Sequence, residues 1–250
     1  MKKDKILNLL LPLLTVGCIL IIWSVFARVI DNQFLLPNLK LTFTSLITLF
    51  GSGEFYLAFA YTLLRSVVAF IVSFILATTL ALIGNASQTI KRVIKILISI
   101  CRALPTIAVV LLLLFWTNSQ VAPVIVTMLV VLPTVYTNVD NSLNEIDKDQ
   151  LEMCKLFNVH KKVVLTKVKI PQIAPSMVNT IGSGLSLNLK LMVAAEVLSQ
   201  TANSLGYMLN TSKVYFEIAM MIAIVLVTVI LGIVIESAFS KLSERLGKWK

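Results

Sequence analysis

Three features of this sequence predict an all-α integral membrane fold of about six transmembrane helices, with both termini cytoplasmic. Of its 250 residues, 58% are hydrophobic and only 14% are charged, against about a quarter charged in a soluble domain. The apolar residues are gathered into long runs suited to a hydrocarbon core about 30 Å thick. The basic residues are segregated. Sixteen of the 22 Lys and Arg fall in the N-terminus, the loop after the second run, the long loop after the fourth and the tail. Three (Arg28, Lys40, Lys213) fall in the intervening loops, and Arg65, Arg102 and Lys190 lie within runs. Basic loops stay on the cytoplasmic side, so this asymmetry accounts for the net charge of +10 without a nucleic-acid partner. Membrane spans leave room for one domain, residues 1–250.

The first span runs from Ile6 to Ile30, behind Lys2, Lys3 and Lys5. It is too long for a signal-peptide core and lacks a small-residue cleavage site, so it is read as retained. After Pro37, the residues Leu39, Phe43, Leu46, Ile47 and Phe50 recur at helical spacing up to Gly51. They predict an amphipathic helix on the outer interface. The second span is Tyr56 to Gly84. The third, Ile96 to Trp116, is expected to kink at Pro105. The fourth is Val121 to Val139, with Pro133 inside. The fifth is Pro175 to Leu198, where Gly182 and Gly184 suggest irregularity. A polar loop from Ser199 to Lys213 leads to the sixth, Tyr215 to Phe239. Trp23, Trp116 and Trp249 read as interfacial anchors.

Between the fourth and fifth spans lies the one long polar segment. It holds six lysines, Lys148, Lys155, Lys161, Lys162, Lys167 and Lys169. Asp147 can cap a helix, Gln150 can complete a capping box, and Ile146 and Leu151 occupy the staple positions. Asn158 suits the left-handed residue past a helix end. A second helix from about Lys161 to Lys169 is expected to stop before Pro171, because the residue before proline disfavours helix. The result is a rigid helix-turn-helix over residues 147–171. Leu151, Met153, Leu156, Phe157 and Val159 can form an exposed apolar face, and such a face usually marks a partner.

Ionisable residues inside spans cost at least about 2.5 kcal/mol each to insert and are functional hypotheses by default. Arg65, Lys190 and Glu196 are the candidates here. Lys190 and Glu196 are six residues apart, about 600° of helix rotation, so they do not share a face. One reading places Ser186, Asn188, Lys190, Glu196 and Arg65 on a translocation path. The other pairs Arg65 with Glu196 inside the bundle. Arg102, near the cytoplasmic end of the third span, is expected to snorkel. Cys18, Cys101 and Cys154 form no paired motif and His160 is the sole histidine, which argues against a metal site or a disulfide framework. There is no GxxxxGK[ST] loop, so any ATP chemistry belongs to another subunit.

The polar segment resembles the cytoplasmic coupling loop of ABC importer permeases. That pattern is Glu-Ala-Ala, a Gly six residues after the Glu, Leu-Pro ending nineteen after it, and often a second Pro four later. The matching residues are Glu152-Met153-Cys154, Asn158, Ile170-Pro171 and Pro175, with Met153, Cys154, Asn158 and Ile170 departing from the consensus types. Most of the chain is similar to the nitrate, sulfonate and taurine group, through Leu36-Pro37, Arg65, Pro105 with Ala108, Ala195-Glu196 and Leu205-Gly206-Tyr207. The resemblance implies a type I ABC importer permease fold in the bacterial plasma membrane. It implies a second permease copy in a homodimer, two ABC ATPase subunits holding ATP-Mg, and an external solute-binding protein. The chain itself would carry no cofactor and no catalytic residue. Asp147, Leu151, Glu152, Met153, Leu156, Phe157, Asn158, Val159 and Pro171 would serve ATPase coupling. The rivals are an ion-coupled secondary carrier using Lys190 and Glu196, a membrane enzyme, for which no residue constellation exists, and another partner-driven uptake scaffold.

Overall fold

The computed structural model describes residues 2–247, and these are almost entirely helical. The helices are α1 (Lys2–Ile30), α2 (Leu39–Gly51), α3 (Gly53–Ala86), α4 (Gln88–Ala103), α5 (Thr106–Trp116), α6 (Ala122–Asn144), α7 (Lys148–Leu156), α8 (Lys161–Val163), α9 (Ile170–Ser199), α10 (Leu205–Val214) and α11 (Ile218–Gly247). Among the described residues, four helical stretches are long and apolar enough to cross a membrane, Gly53–Ala86, Ala122–Asn144, Lys161–Ser199 and Ile218–Leu246. The α4–α5 pair, if one span, makes a fifth. Trp249 lies outside the described residues.

The bundle is organised around α9, which packs on α11, α6, α3 and α10, while α3 also packs along α6. Sequence explains this closeness. One face of α3 buries Ala58, Thr62, Ser66, Ala69, Ser73, Ala77, Ala81 and Gly84, each three or four residues from the next. Small side chains at that spacing let helices approach where lipid supplies no hydrophobic driving force. Gly182 works the same way on α9, since a Cβ there would lie 2.5 Å from Phe239 Cβ. The glycines of α9 therefore permit packing, and the helix continues through them without irregularity. Outward faces are strongly apolar, with Leu14, Ile21, Val29, Leu64, Ile75 and Ile233 all exposed, as a lipid-facing surface requires.

Three sequence expectations are corrected. The third span is two helices bent by 91° rather than one kinked helix. Leu104 and Pro105 are both extended. Pro105 lacks an N–H and disfavours helix at Leu104, and α4 carries Lys91, Arg92 and Lys95 on one face. Arg102 is exposed, and its Nη2 donates to Thr137 Oγ1 at 2.8 Å. The polar loop after α9 contains α10, capped by Ser204 Oγ, which accepts from Tyr207 N at 2.9 Å. Finally, the helix after Asn158 does not stop at Pro171. A π-helical stretch, Val164–Lys169, carries it into α9 as one rod of 39 residues, Lys161–Ser199. Widening the turn by one residue accommodates a proline that can neither donate nor sit close to the carbonyl four residues earlier.

Candidate coupling and translocation sites

The first helix of the elbow, α7, and the turn after it form with most of the expected punctuation in place. Asp147 caps α7, its Oδ1 accepting from Asp149 N at 2.9 Å. The capping box does not close, because Gln150 Oε1 instead accepts from Gln172 Nε2 on α9. At the other end Asn158 adopts φ 50°. Val159 N donates to Cys154 O at 2.9 Å and Asn158 N to Lys155 O at 3.0 Å, the closing bonds of a helix-ending motif with a left-handed residue. Ile146 is buried in a core cluster with Leu143, Val139 and Ile173, and Leu151 packs against it. That fixes which face of α7 looks outward. Met153, Leu156 and Phe157 are 56%, 80% and 76% exposed, and Glu152 is exposed beside them. Of the five residues read as one apolar face, Leu151 and Val159 are half-buried instead.

One further contact ties this elbow to the bundle, and a second joins α4 to α6 close by. Lys169 Nζ donates to Asn85 Oδ1 at the α3–α4 junction, at 2.5 Å. Lys91 on α4 pairs with Asp140 on α6 at 2.6 Å and donates to Asn144 Oδ1 at 3.0 Å. Both Lys91 and Asp140 are buried. Sequence reasoning missed this pair because Asp140 falls one residue past the expected end of the fourth span.

The charged residues of the spans are sorted by the structure into two places. Glu196 is fully buried. Its Oε1 lies 3.0 Å from Arg65 Nη1, and its Oε2 accepts from Thr62 Oγ1 at 2.8 Å and Gly206 N at 3.4 Å. Arg65 also donates to Gln120 Oε1 and to Ala202 O. Thr62 Oγ1 accepts from Leu205 N at 3.0 Å. This network joins α3, the α5–α6 turn, α9 and α10, with Arg65 and Glu196 paired across it. It explains Gly206, where a Cβ would lie 2.4 Å from Glu196 Cβ and 2.6 Å from Val197 N. Asn188 is also fully buried, its Nδ2 donating to Ser66 O at 2.6 Å. Lys190 is different. It is exposed and forms no hydrogen bond or ion pair among the described residues. Ser186, one turn away, shares its face of α9. No group of three or more His, Cys, Asp or Glu able to hold a metal is present among the described residues.

The chain is thus a bundle of apolar helices with a capped elbow between two of its spans. Residues 74–248 match the family model described as binding-protein-dependent transport system inner membrane component, and the chain belongs to that family. A putative ABC transporter permease of Methanocaldococcus jannaschii is 22% identical over 99% of this chain and 93% of its own. The putative aliphatic sulfonates transport permease of Bacillus subtilis is 22% identical over 97% of this chain and 87% of its own. The taurine transport system permease of Escherichia coli is 20% identical over 91% and 84% respectively. Among solved structures, the inward-facing MetNI methionine ABC transporter aligns with TM-score 0.63 at 19% identity, covering 76% of this chain and 96% of that chain. The fold is that of a type I ABC importer permease, and the chain is a membrane permease subunit of such an importer.

Proposed function

We propose that residues 147–171 are the element through which ABC ATPase subunits drive this permease, and that the whole chain works as one domain in a homodimer. The observation carrying this reading is the outward apolar triad Met153, Leu156 and Phe157 on a capped helix of nine residues. Such a patch on a rigid cytoplasmic elbow suits a groove on a partner. Motion of α7 has two routes into the membrane. One runs through Ile146 and Leu151 into α6, and the other through the continuous Lys161–Ser199 rod. ATP-Mg binds the ATPases, and this chain supplies no catalytic residue. An external binding protein delivers a small solute, of the sulfonate, taurine or nitrate kind that the relatives' names and the sequence resemblance favour. Of the path candidates, Lys190 and Ser186 are retained. Arg65, Asn188 and Glu196 are assigned to holding the bundle together.

The test is crosslinking. Met153→Cys is placed in a background lacking Cys18, Cys101 and Cys154, and the candidate ATPase carries scanned cysteines along its groove. Adducts whose positions shift when ATP is added support the reading. No adduct at any position, with solute uptake continuing after the ATPase is deleted, sinks it and favours an ion-coupled carrier.

A further inference from the structure

Helix α4 has three distinct sides. Lys91, Ile94 and Ile98 are buried, with α3 and α6 packed against the helix. Ile90, Val93, Ile96, Leu97 and Ile100 are all exposed and spread over about 120° of the circumference. Arg92, Lys95, Ser99 and Arg102 are exposed too. They fall within about 80°, centred about 140° away from the apolar side. The helix axis turns by 91° from that of α5, an uncharged helix suited to the hydrocarbon. With α5 crossing, α4 lies along the membrane surface. A helix with one apolar and one basic side settles at the boundary between lipid and water. Its basic residues place that boundary on the cytoplasmic side.

Charge on this helix is one-sided. α4 contains Lys91, Arg92, Lys95 and Arg102 and no Asp or Glu. The only acidic residue of α6 is Asp140, held by Lys91 at 2.6 Å and approached by Lys95 at 3.7 Å. That of α3 is Glu54, in its first turn at the far end. Arg92 makes no side-chain hydrogen bond or ion pair among the described residues, and Arg102 meets only the neutral hydroxyl of Thr137. Four cations against one carboxylate leave the surface of α4 positive. Where the basic side meets the apolar side, Lys95, Ser99, Ala103, Ile96 and Ile100 line an open cavity of about 400 Å³. An occupant meets an ammonium and a hydroxyl on one flank and two isoleucines on the other.

We infer that this edge of α4 is a binding site for an anionic phospholipid of the cytoplasmic leaflet. Its phosphate is held by Lys95 and by Arg92 one turn away, and its acyl chain runs along Ile96 and Ile100. Chemistry selects that occupant. A soluble anion leaves the isoleucine flank wet, and a neutral lipid leaves the cations unanswered, whereas an anionic lipid satisfies both. The site serves neither solute passage nor the proposed coupling at α7.

Lipids with brominated chains test the site, because bromine quenches a tryptophan fluorophore only near contact. The full chain, with Trp23, Trp116 and Trp249 replaced by Phe, carries Ile100→Trp. It is reconstituted in phosphatidylcholine vesicles containing either dibrominated phosphatidylglycerol or dibrominated phosphatidylcholine. Each Lys or Arg near a membrane surface contributes about fivefold toward an anionic lipid. Phosphatidylglycerol should therefore outcompete phosphatidylcholine at position 100 by about tenfold or more. Arg92→Gln with Lys95→Gln should bring the ratio below about twofold, and Arg92→Gln alone should lower it by about fivefold. A tryptophan placed instead at Ile75, exposed on α3, should show little preference. Three results overturn the inference. Quenching at position 100 by neither lipid would mean that protein covers α4, either a second copy of this chain or another subunit. Equal quenching by both would mean ordinary bilayer lipid. A preference that survives both substitutions would mean that other charges hold the lipid. Unchanged quenching at position 75 and a monodisperse elution profile separate these results from misfolding. Should the double variant misfold, Arg92→Gln carries the test, since its side chain has no partner to lose.

Discussion

Replacing Arg65 with methionine tests the buried network at the outer end of the bundle. The substitution keeps the length of the apolar stem and removes the charge. It leaves Glu196 fully buried, with Thr62 Oγ1 at 2.8 Å and the weaker Gly206 N at 3.4 Å as its remaining donors. Stranding one partner of a buried ion pair costs about 3–5 kcal/mol. For a chain of this size each kcal/mol moves the unfolding midpoint by about 2–4 °C, so Arg65→Met should lower it by about 6–20 °C. The assay is the fraction of protein surviving size-exclusion chromatography in detergent after heating. Adding Glu196→Met should restore part of the loss, because no charge is then stranded, giving a coupling energy of about 1–3 kcal/mol between the two sites. A drop of less than about 3 °C in the single variant would refute the reasoning. So would a double variant no better than the sum of the two.

Two other outcomes are expected. Gly206→Ala must push its Cβ against Glu196 Cβ and the backbone N of Val197, neither of which can swing away. It should cost about 1–3 kcal/mol, read as a lower midpoint in the same heating assay, while Gly53→Ala, where a Cβ meets nothing within 4 Å, should change little. Leu156→Asp with Phe157→Asp should leave the heating midpoint within about 0.5 kcal/mol of the parent, since both side chains are largely exposed. Co-purification of the ATPase should nonetheless weaken by roughly thirtyfold or more, the effect of losing about 2 kcal/mol of anchor contacts.

The sequence carried the class of this protein on its surface chemistry. A chain 58% hydrophobic, with long unbroken apolar runs and most of its lysines in loops of one side, reads as a helical bundle, because lipid requires every backbone group to be satisfied within helices or a closed barrel and a barrel strand needs only about ten alternating residues. The elbow was equally legible. Asp147 and Asn158 punctuate α7 through bonds to residues within a few positions, and local bonds depend on local sequence. Tertiary structure decided the rest. Pro105 and Pro171 look alike in sequence, yet one ends a helix with a 91° bend and the other is absorbed by a π turn. The difference lies in what surrounds each. After Pro105 the chain leaves a basic amphipathic helix, whereas Pro171 sits in a rod pinned by Lys169 to Asn85 and by Gln172 to Gln150. The same holds for the charged residues of the spans. Periodicity separated Lys190 from Glu196. Only the packing of α3 and α10 onto α9 showed that Glu196 meets Arg65 across 131 positions of chain while Lys190 meets no partner among the described residues. Which buried charge finds a counter-ion depends on which helices become neighbours, and that is settled by the summed fit of small residues along whole faces.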